Sequence, residues 1–349
     1  MIVGMGLAGA CLALQLMKLK KKLLVFDMPT QNRASSVAAG LFNPITGRKV
    51  VKTWRTDEIF PYLHTFYEAA EKTLASRFFY KSPIYTPFVT VEEQNDWVGK
   101  SADQAWSGYL LKVATRSVYG DQVHDPLGGI LIDKGGYIDT NTFLEAVRSL
   151  LKRDDAYREE VWQEDEVSVA EGNVFYRGVV ASKLVFCSGI HLSGSRFFTV
   201  LPLVPLKGET ITITTTRPLD RIYNRGIYFV PVVSGEGYKV GATYQIENIR
   251  AQPTAEGKEQ LVQKAKAILR NPFVCTHQDW GIRPSTTDRR PLLGSHPQHK
   301  HIFVFNGLGT KGVSLAPYFS NALVKYMEGD GNLDKEANIC RIKPLSSKF

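Results

Sequence analysis

Met1-Ile2-Val3-Gly4-Met5-Gly6-Leu7-Ala8-Gly9-Ala10-Cys11-Leu12-Ala13-Leu14-Gln15-Leu16-Met17-Lys18-Leu19 opens the chain, and Leu23-Leu24-Val25-Phe26-Asp27 follows after a lysine run. The apolar Ile2-Val3 pair predicts the end of a β-strand, Gly4 to Gly9 make a GxGxxG turn, and Leu12, Leu16 and Leu19 recur at helical spacing. The second apolar run ends in a carboxylate, Asp27, 18 residues after Gly9. This strand, turn, helix, strand order describes a unit that binds an adenine dinucleotide. Glycines there permit a tight turn and bring the backbone against a pyrophosphate at the helix N-terminus, while the terminal acid hydrogen-bonds a ribose hydroxyl. Gly4, Gly6, Leu7, Ala8, Gly9 and Asp27 are therefore candidate cofactor contacts. Met28, not an arginine suited to a 2′-phosphate, follows the acid, which favours FAD or NAD over NADP. Two features depart from the usual unit. Only three residues precede Gly4, which leaves open a start further upstream, and Lys20-Lys21-Lys22 stands where a glycine often turns the helix into the second strand.

At 349 residues the chain has room for two to three domains of ~100–200 residues each. Its 44% hydrophobic and 22% charged content excludes wholesale disorder and fibrous repeats. The net charge of +9 suits an anionic partner without requiring one, because only Lys18–Lys22 is locally dense. The apolar stretch from Ile2 to Met17 is broken by Gly4, Gly6, Gly9 and Gln15 and is too short to span a bilayer. Its lysines come after the apolar segment, unlike a secretory signal, so the expectation is a cytoplasmic protein without a membrane span. Cys11, Cys187, Cys275 and Cys340 show neither metal-ligand nor disulfide spacing, and no metal site is expected.

The interior holds no second GxGxxG, which argues against a separate NAD(P)H domain. Four later segments carry the remaining signal: Ser35-Ser36-Val37-Ala38-Ala39-Gly40-Leu41-Phe42-Asn43-Pro44, Leu184-Val185-Phe186-Cys187-Ser188-Gly189, Trp280-Gly281-Ile282-Arg283-Pro284-Ser285-Thr286-Thr287-Asp288-Arg289-Arg290-Pro291-Leu292-Leu293-Gly294, and Ile302-Phe303-Val304-Phe305-Asn306-Gly307-Leu308-Gly309-Thr310-Lys311-Gly312-Val313-Ser314-Leu315-Ala316-Pro317. In this order they resemble the D-amino-acid oxidase and glycine oxidase superfamily of FAD-dependent amine oxidoreductases. The third is similar to that family's GxRPxTxDxxPxxG signature.

The resemblance implies roles for particular residues. Ser35, Ser36, Ala39 and Gly40 would run past the flavin, and Ser188 and Gly189 would lie beside the dinucleotide. Gly307, Gly309, Thr310, Lys311 and Gly312 would sit at the pyrimidine end of the flavin ring. Helix-terminal N–H groups there stabilise the negative charge of reduced flavin, with Lys311 assisting. Arg283 would pair with a substrate carboxylate, a role its planar guanidinium suits because it can hold both oxygens at once. Tyr228 and Tyr244, in strands similar to the family's pocket floor, are further candidates for the catalytic site. The implied architecture is α/β: a Rossmann-like FAD-binding domain from residues 1–80, 135–204 and 276–349, with an inserted substrate domain from 81–134 and 205–275 on a largely antiparallel sheet. The implied activity is oxidation of the C–N bond of an amino acid or N-substituted glycine, with hydride passing to flavin N5 and the imine hydrolysing. Dioxygen is the expected electron acceptor, an electron carrier the alternative. Cys275 lies too far upstream of Arg283 for covalent flavin attachment, so non-covalent FAD is expected.

Two other readings stand beside this one. Val3–Gly9 and Gly307–Gly312 are also similar to the FAD-dependent oxidase half of the bifunctional enzyme that modifies wobble uridines of tRNA, and the positive charge suits tRNA as a partner. The chain has no room for that enzyme's methyltransferase half. A non-catalytic flavoprotein subunit is the third reading, opposed by retention of Arg283. Residues 50–135 carry no signature. Glu256–Leu269 and Pro317–Met327 read as helices, and Lys335–Phe349 as a partly disordered tail.

Overall fold

The computed structural model describes residues 1–29, 33–46, 51–233, 235–247 and 249–342. A six-stranded sheet runs in the order Tyr157–Glu159, Val25–Asp27, Ile2–Val3, Leu184–Phe186, Ile302–Asn306 and Leu292–Ser295. The first five strands are parallel and the last is antiparallel. The central strands are short, apolar and wholly buried, as a parallel sheet covered on both faces requires. Helices Leu7–Lys18 and Gly312–Glu328 pack against each other on one face. The three-stranded sheet of Ser168–Ala170, Asn173–Tyr176 and Val179–Ala181 covers the other, with Tyr176 edge-on to Phe26 at 5.1 Å.

The lysine run accomplishes its turn without glycine: Lys20 adopts φ 55°, the left-handed region, which costs an L-residue roughly 1–2 kcal/mol. The two expected helices form as Ala255–Ile268 and Gly312–Glu328, the second starting five residues before Pro317. Thr254 caps the first by accepting the Gly257 N–H at 3.1 Å. In the expected tail, Ala337 and Ile339 are fully buried and the Ala337 carbonyl accepts the Leu293 N–H, so residues 335–342 are ordered against the sheet edge. Residues 343–349 lie outside the described residues.

A second sheet of eight strands runs in the order Phe273–Thr286, Leu203–Thr215, Tyr238–Gly241, Tyr228–Pro231, Ile222–Asn224, Ile84–Pro87, Gly129–Ile132 and Leu110–Ala114. Its pairings are antiparallel except that between Ile222–Asn224 and Ile84–Pro87. The Phe273–Thr286 strand pairs along its whole length with Leu203–Thr215, so the boundary expected at residue 276 falls inside a continuous strand. The region without a signature supplies three strands of this sheet and the helices Thr56–Leu74 and Val91–Lys100. Its tryptophans are packing residues: Trp97 is buried 4.8 Å from Trp106, and Trp54 stacks on Phe319 at 5.4 Å. Among the described residues no helix is long and apolar enough to cross a membrane. No group of three or more His, Cys, Asp or Glu among them could hold a metal ion.

Candidate functional site

Three loops leave the carboxyl edge of the parallel sheet together: Gly4 after Ile2–Val3, Ser188-Gly189 after Leu184–Phe186, and Gly307 after Ile302–Asn306. Ligands of open α/β sheets bind along this edge. Gly9 meets the turn so closely that a Cβ there would lie 2.0 Å from the Gly4 carbonyl oxygen. The helix Leu7–Lys18 begins at Gly6 with no side-chain cap and no acidic residue in its first turn, which leaves a positive helix end facing the loop. Asp27 is buried at the end of its strand, but its carboxylate is already engaged. It accepts the Met5 N–H at 2.9 Å, the two Nη atoms of Arg33 at 2.8 and 2.6 Å, and the Tyr157 hydroxyl at 3.2 Å. A carboxylate offers about four acceptor positions, so a ribose hydroxyl has to replace one of these donors. Neither Arg33 nor Tyr157 carries a sequence signal for this role, since one is six residues from Asp27 and the other reaches it only through strand pairing.

Ser35 completes the turn, its Oγ accepting the Leu7 N–H at 3.1 Å. It belongs to the short helix Ala34–Val37, with the half-buried Ser36 next to it. The same segment also meets the second sheet: Arg33 forms a β-bridge with Ile282, and the Val37 carbonyl accepts Lys239 Nζ at 3.1 Å. Ala39 and Gly40 lead away from it, the Gly40 carbonyl accepting the Ile138 N–H. Asn306 ties the other two loops together, since its Nδ2 donates to the Gly189 carbonyl at 2.8 Å and its Oδ1 accepts the Gly307 N–H at 2.8 Å. Gly309, Thr310 and Lys311 form one 3-10 turn, and Gly312 opens the helix Gly312–Glu328, again without a side-chain cap or an acid in the first turn. The turn packs on Ser285, two residues from Arg283. Thr310 is exposed. Burial lowers the pKa of the Lys311 amine, and Arg290 and Arg289 lower it further by repulsion. Its ammonium has no hydrogen-bond or ion-pair partner among the described residues.

The register of the eight-stranded sheet assembles the other half of the site. Leu206 pairs with Arg283, Gly208 with Gly281, Thr210 with both Asp279 and Gly241, and Gly241 with Tyr228. Directly opposed residues, and alternate residues along a strand, share one face. Arg283 lays its guanidinium back over Gly208, where a Cβ would come within 2.0 Å of Nη1. That Nη1 is buried and has no hydrogen-bond partner among the described residues. The Tyr244 ring, itself largely exposed, lies 5.7 Å from the Arg283 guanidinium carbon. The Tyr228 hydroxyl stands over Gly241, and burial raises its pKa to about 12 despite the opposing charge of Arg283. Arg283, Tyr228 and Tyr244 are thus brought together, whereas Lys311 keeps company with Arg289 and Arg290.

Three further residues on this face are Thr210, 2% exposed, and the pair Lys239 and Asp279, 3.3 Å apart. Only their alternation with glycines along the strands could have marked them. The opposite face holds a dry ion pair: Lys207 Nζ donates to Glu209 Oε1 at 2.7 Å and to the Gln252 carbonyl at 2.7 Å. Burial pushes the Glu209 carboxyl up, but hydrogen bonds from Lys207, Thr254 and Gln278 outweigh it and hold its pKa below the ordinary value. The whole arrangement presents two helix N-termini with no acid in the first turn and a glycine turn on one side, and on the other a guanidinium unpaired among the described residues, with two tyrosines. That donor set fits an extended anionic dinucleotide lying across the first and a small carboxylate held by the second.

Comparison with known proteins bears on the same region. The family described as FAD dependent oxidoreductase, DAO, matches residues 1–326. A glycine oxidase of Geobacillus kaustophilus (strain HTA426) is 25% identical over 345 residues, 90% of this chain and 89% of that protein. A glycine oxidase of Bacillus licheniformis is 37% identical over 120 residues, a match that spans 32% of this chain and 31% of that relative. Among solved structures, an iminodiacetate oxidase from Chelativorans sp. BNC1 shares the fold with a TM-score of 0.81 at 18% identity, covering 96% of this chain and 98% of that one.

Proposed function

The chain belongs to the family of FAD-dependent oxidoreductases, and we propose that it oxidises the C–N bond of a small amino acid or N-substituted glycine, with FAD bound non-covalently. The observation that carries this reading is the Arg283 guanidinium, held over Gly208 with a buried Nη1 that no group among the described residues satisfies. A buried cationic donor left unpaired is costly, and a substrate carboxylate is the complement that removes the cost. The similar proteins are named for glycine and iminodiacetate, both amines that carry a carboxymethyl group.

In this reading Gly4, Gly6, Leu7, Ala8 and Gly9 hold the pyrophosphate, and Asp27 takes a ribose hydroxyl once Arg33 or Tyr157 yields a position. Ser35, Ser36, Ala39, Gly40, Ser188 and Gly189 line the path to the flavin, and Gly307, Gly309, Thr310, Lys311 and Gly312 face its pyrimidine end. FAD supplies the two-electron chemistry when bound, so the protein's task is binding and orientation. Arg283 fixes the carboxylate and thereby the direction of the adjacent C–H bond. Tyr228 and Tyr244 close the pocket around it, and the unpaired charge of Lys311 favours electron density arriving nearby. The oxidised imine takes up water, with dioxygen the proposed final acceptor and hydrogen peroxide its product. The division into an FAD-binding and a substrate domain and a cytoplasmic location belong to the same proposal.

An anaerobic visible spectrum, taken before and after adding glycine, sarcosine, proline and D-amino acids, tests it. Flavin bands that bleach with one member of the panel support the assignment. Bands that persist through the panel move the reading to tRNA or carrier-linked chemistry, the former recognisable by tRNA binding that weakens steeply as salt rises. A protein that takes up no flavin on reconstitution overturns it.

A further inference from the structure

We infer that Thr210 is a second substrate anchor, an acceptor for the N–H of the amine; this rests on the reading above that Arg283 takes the carboxylate. Three polar groups on one face of the eight-stranded sheet have no hydrogen-bond partner among the described residues: Arg283 Nη1, Thr210 Oγ1 and the Tyr228 hydroxyl. Thr210 is 2% exposed, and a buried hydroxyl without a partner lowers the stability of the free protein. Strand register places it between Asp279 and Gly241, and its Cγ2 would lie 2.7 Å from a Cβ on Gly241, beside the Tyr228 hydroxyl.

The direction of the substrate follows from the same register. Arg283 starts opposite Leu206 and reaches over Gly208, so its guanidinium tip is turned toward the Thr210 row, one alternate position or ~7 Å further along the strand. A carboxylate at that tip has an amine on the adjacent carbon, and the groups ahead of it are Thr210 and Tyr228, while the apolar Leu206 lies behind. The preferred substrates are therefore primary and secondary amines, which have an N–H in the unprotonated form that loses hydride. Tertiary amines lack it.

Thr210→Val keeps the shape and removes the hydroxyl; Thr210→Ser keeps the hydroxyl. Each is compared with the unmodified holoenzyme on glycine, sarcosine and N,N-dimethylglycine. Thr210→Val is expected to lower kcat/KM for the first two about tenfold, mostly through KM, and to leave the tertiary amine unchanged. Its melting temperature should hold or rise, its FAD content should stay the same, and Thr210→Ser should keep the original preference. An unchanged ratio between sarcosine and N,N-dimethylglycine in Thr210→Val overturns the inference, as does a loss confined to FAD affinity, which would assign the hydroxyl to the cofactor. An unmodified holoenzyme that oxidises none of the three amines, and neither proline nor a D-amino acid, overturns the amino-acid reading itself, and the Thr210 inference with it.

Discussion

Placing one methyl group at residue 208 tests Arg283 as the proposed substrate anchor without replacing it. A Cβ on Gly208 would lie 2.0, 2.2 and 2.3 Å from Nη1, Nη2 and Cζ of Arg283. Non-bonded heavy atoms sit comfortably at about 3.5 Å, so Gly208→Ala pushes the guanidinium away by roughly 1.5 Å. A displacement of about 1 Å at a positioning group can cost ~100-fold, and losing a charged hydrogen bond ~1.5–3 kcal/mol, or ~10–150-fold. The expected result is a 10- to 100-fold fall in kcat/KM for the amine that bleaches the flavin, on the order set by those two losses. Stability should change less, because the colliding atoms are the far end of a flexible side chain and the backbone need not move. The FAD spectrum should be unchanged, since the dinucleotide turn lies on the other sheet. Steady-state kinetics, visible absorbance and thermal unfolding read the three quantities separately. Full kcat/KM in Gly208→Ala would refute the reasoning, because a guanidinium that can leave its place without consequence does not bind the substrate.

Three further outcomes follow from particular side chains. Lys207→Met strips Glu209 of its buried partner and should lower unfolding free energy by about 3–5 kcal/mol in denaturant titrations, with much of the loss recovered when Glu209 is also made apolar. Burial, reinforced by His299 and Lys300, lowers the pKa of His296 to about 4 from an ordinary 6.5. The neutral ring is the native form, so its contribution is complete above pH 6.5 and is lost as pH falls from 6.5 toward 4. Melting curves of His296→Asn should show a shallower decline over that window. Lys20→Gly relieves the left-handed φ of 55° and should raise stability by roughly 0.5–1 kcal/mol after the entropy of glycine is subtracted; an unchanged melting temperature would show the turn to be unstrained.

The glycine-turn half of the candidate site was legible in the sequence because its geometry is local: Gly4, Gly9 and Asp27 are set by one turn, one helix and the strand that follows. Arg283 was legible through its surrounding motif. What surrounds Arg283 was not, since Thr210, Gly241 and Tyr228 reach it through cross-strand register between segments far apart in the chain, and alternation alone does not say which face is dry. Arg33 was missed for a related reason. The adjacent Met28 argued against an arginine at the ribose end, yet one arrives from six residues on and closes over Asp27. Residues 50–135 carry no motif because their contribution is packing: strands Ile84–Pro87, Leu110–Ala114 and Gly129–Ile132 extend the sheet, and buried aromatic side chains anchor them.

Arg33 to Val37 touch the glycine turn and the strand beside it at Leu7 and Asp27, and the eight-stranded sheet at Ile282 and Lys239. Five residues therefore serve as the keystone of two arches. A change there is felt twice, as a loosened glycine turn and as a floor shifted beneath Arg283. An activity lost through this segment carries the kinetic appearance of damaged chemistry although no reacting group has been altered.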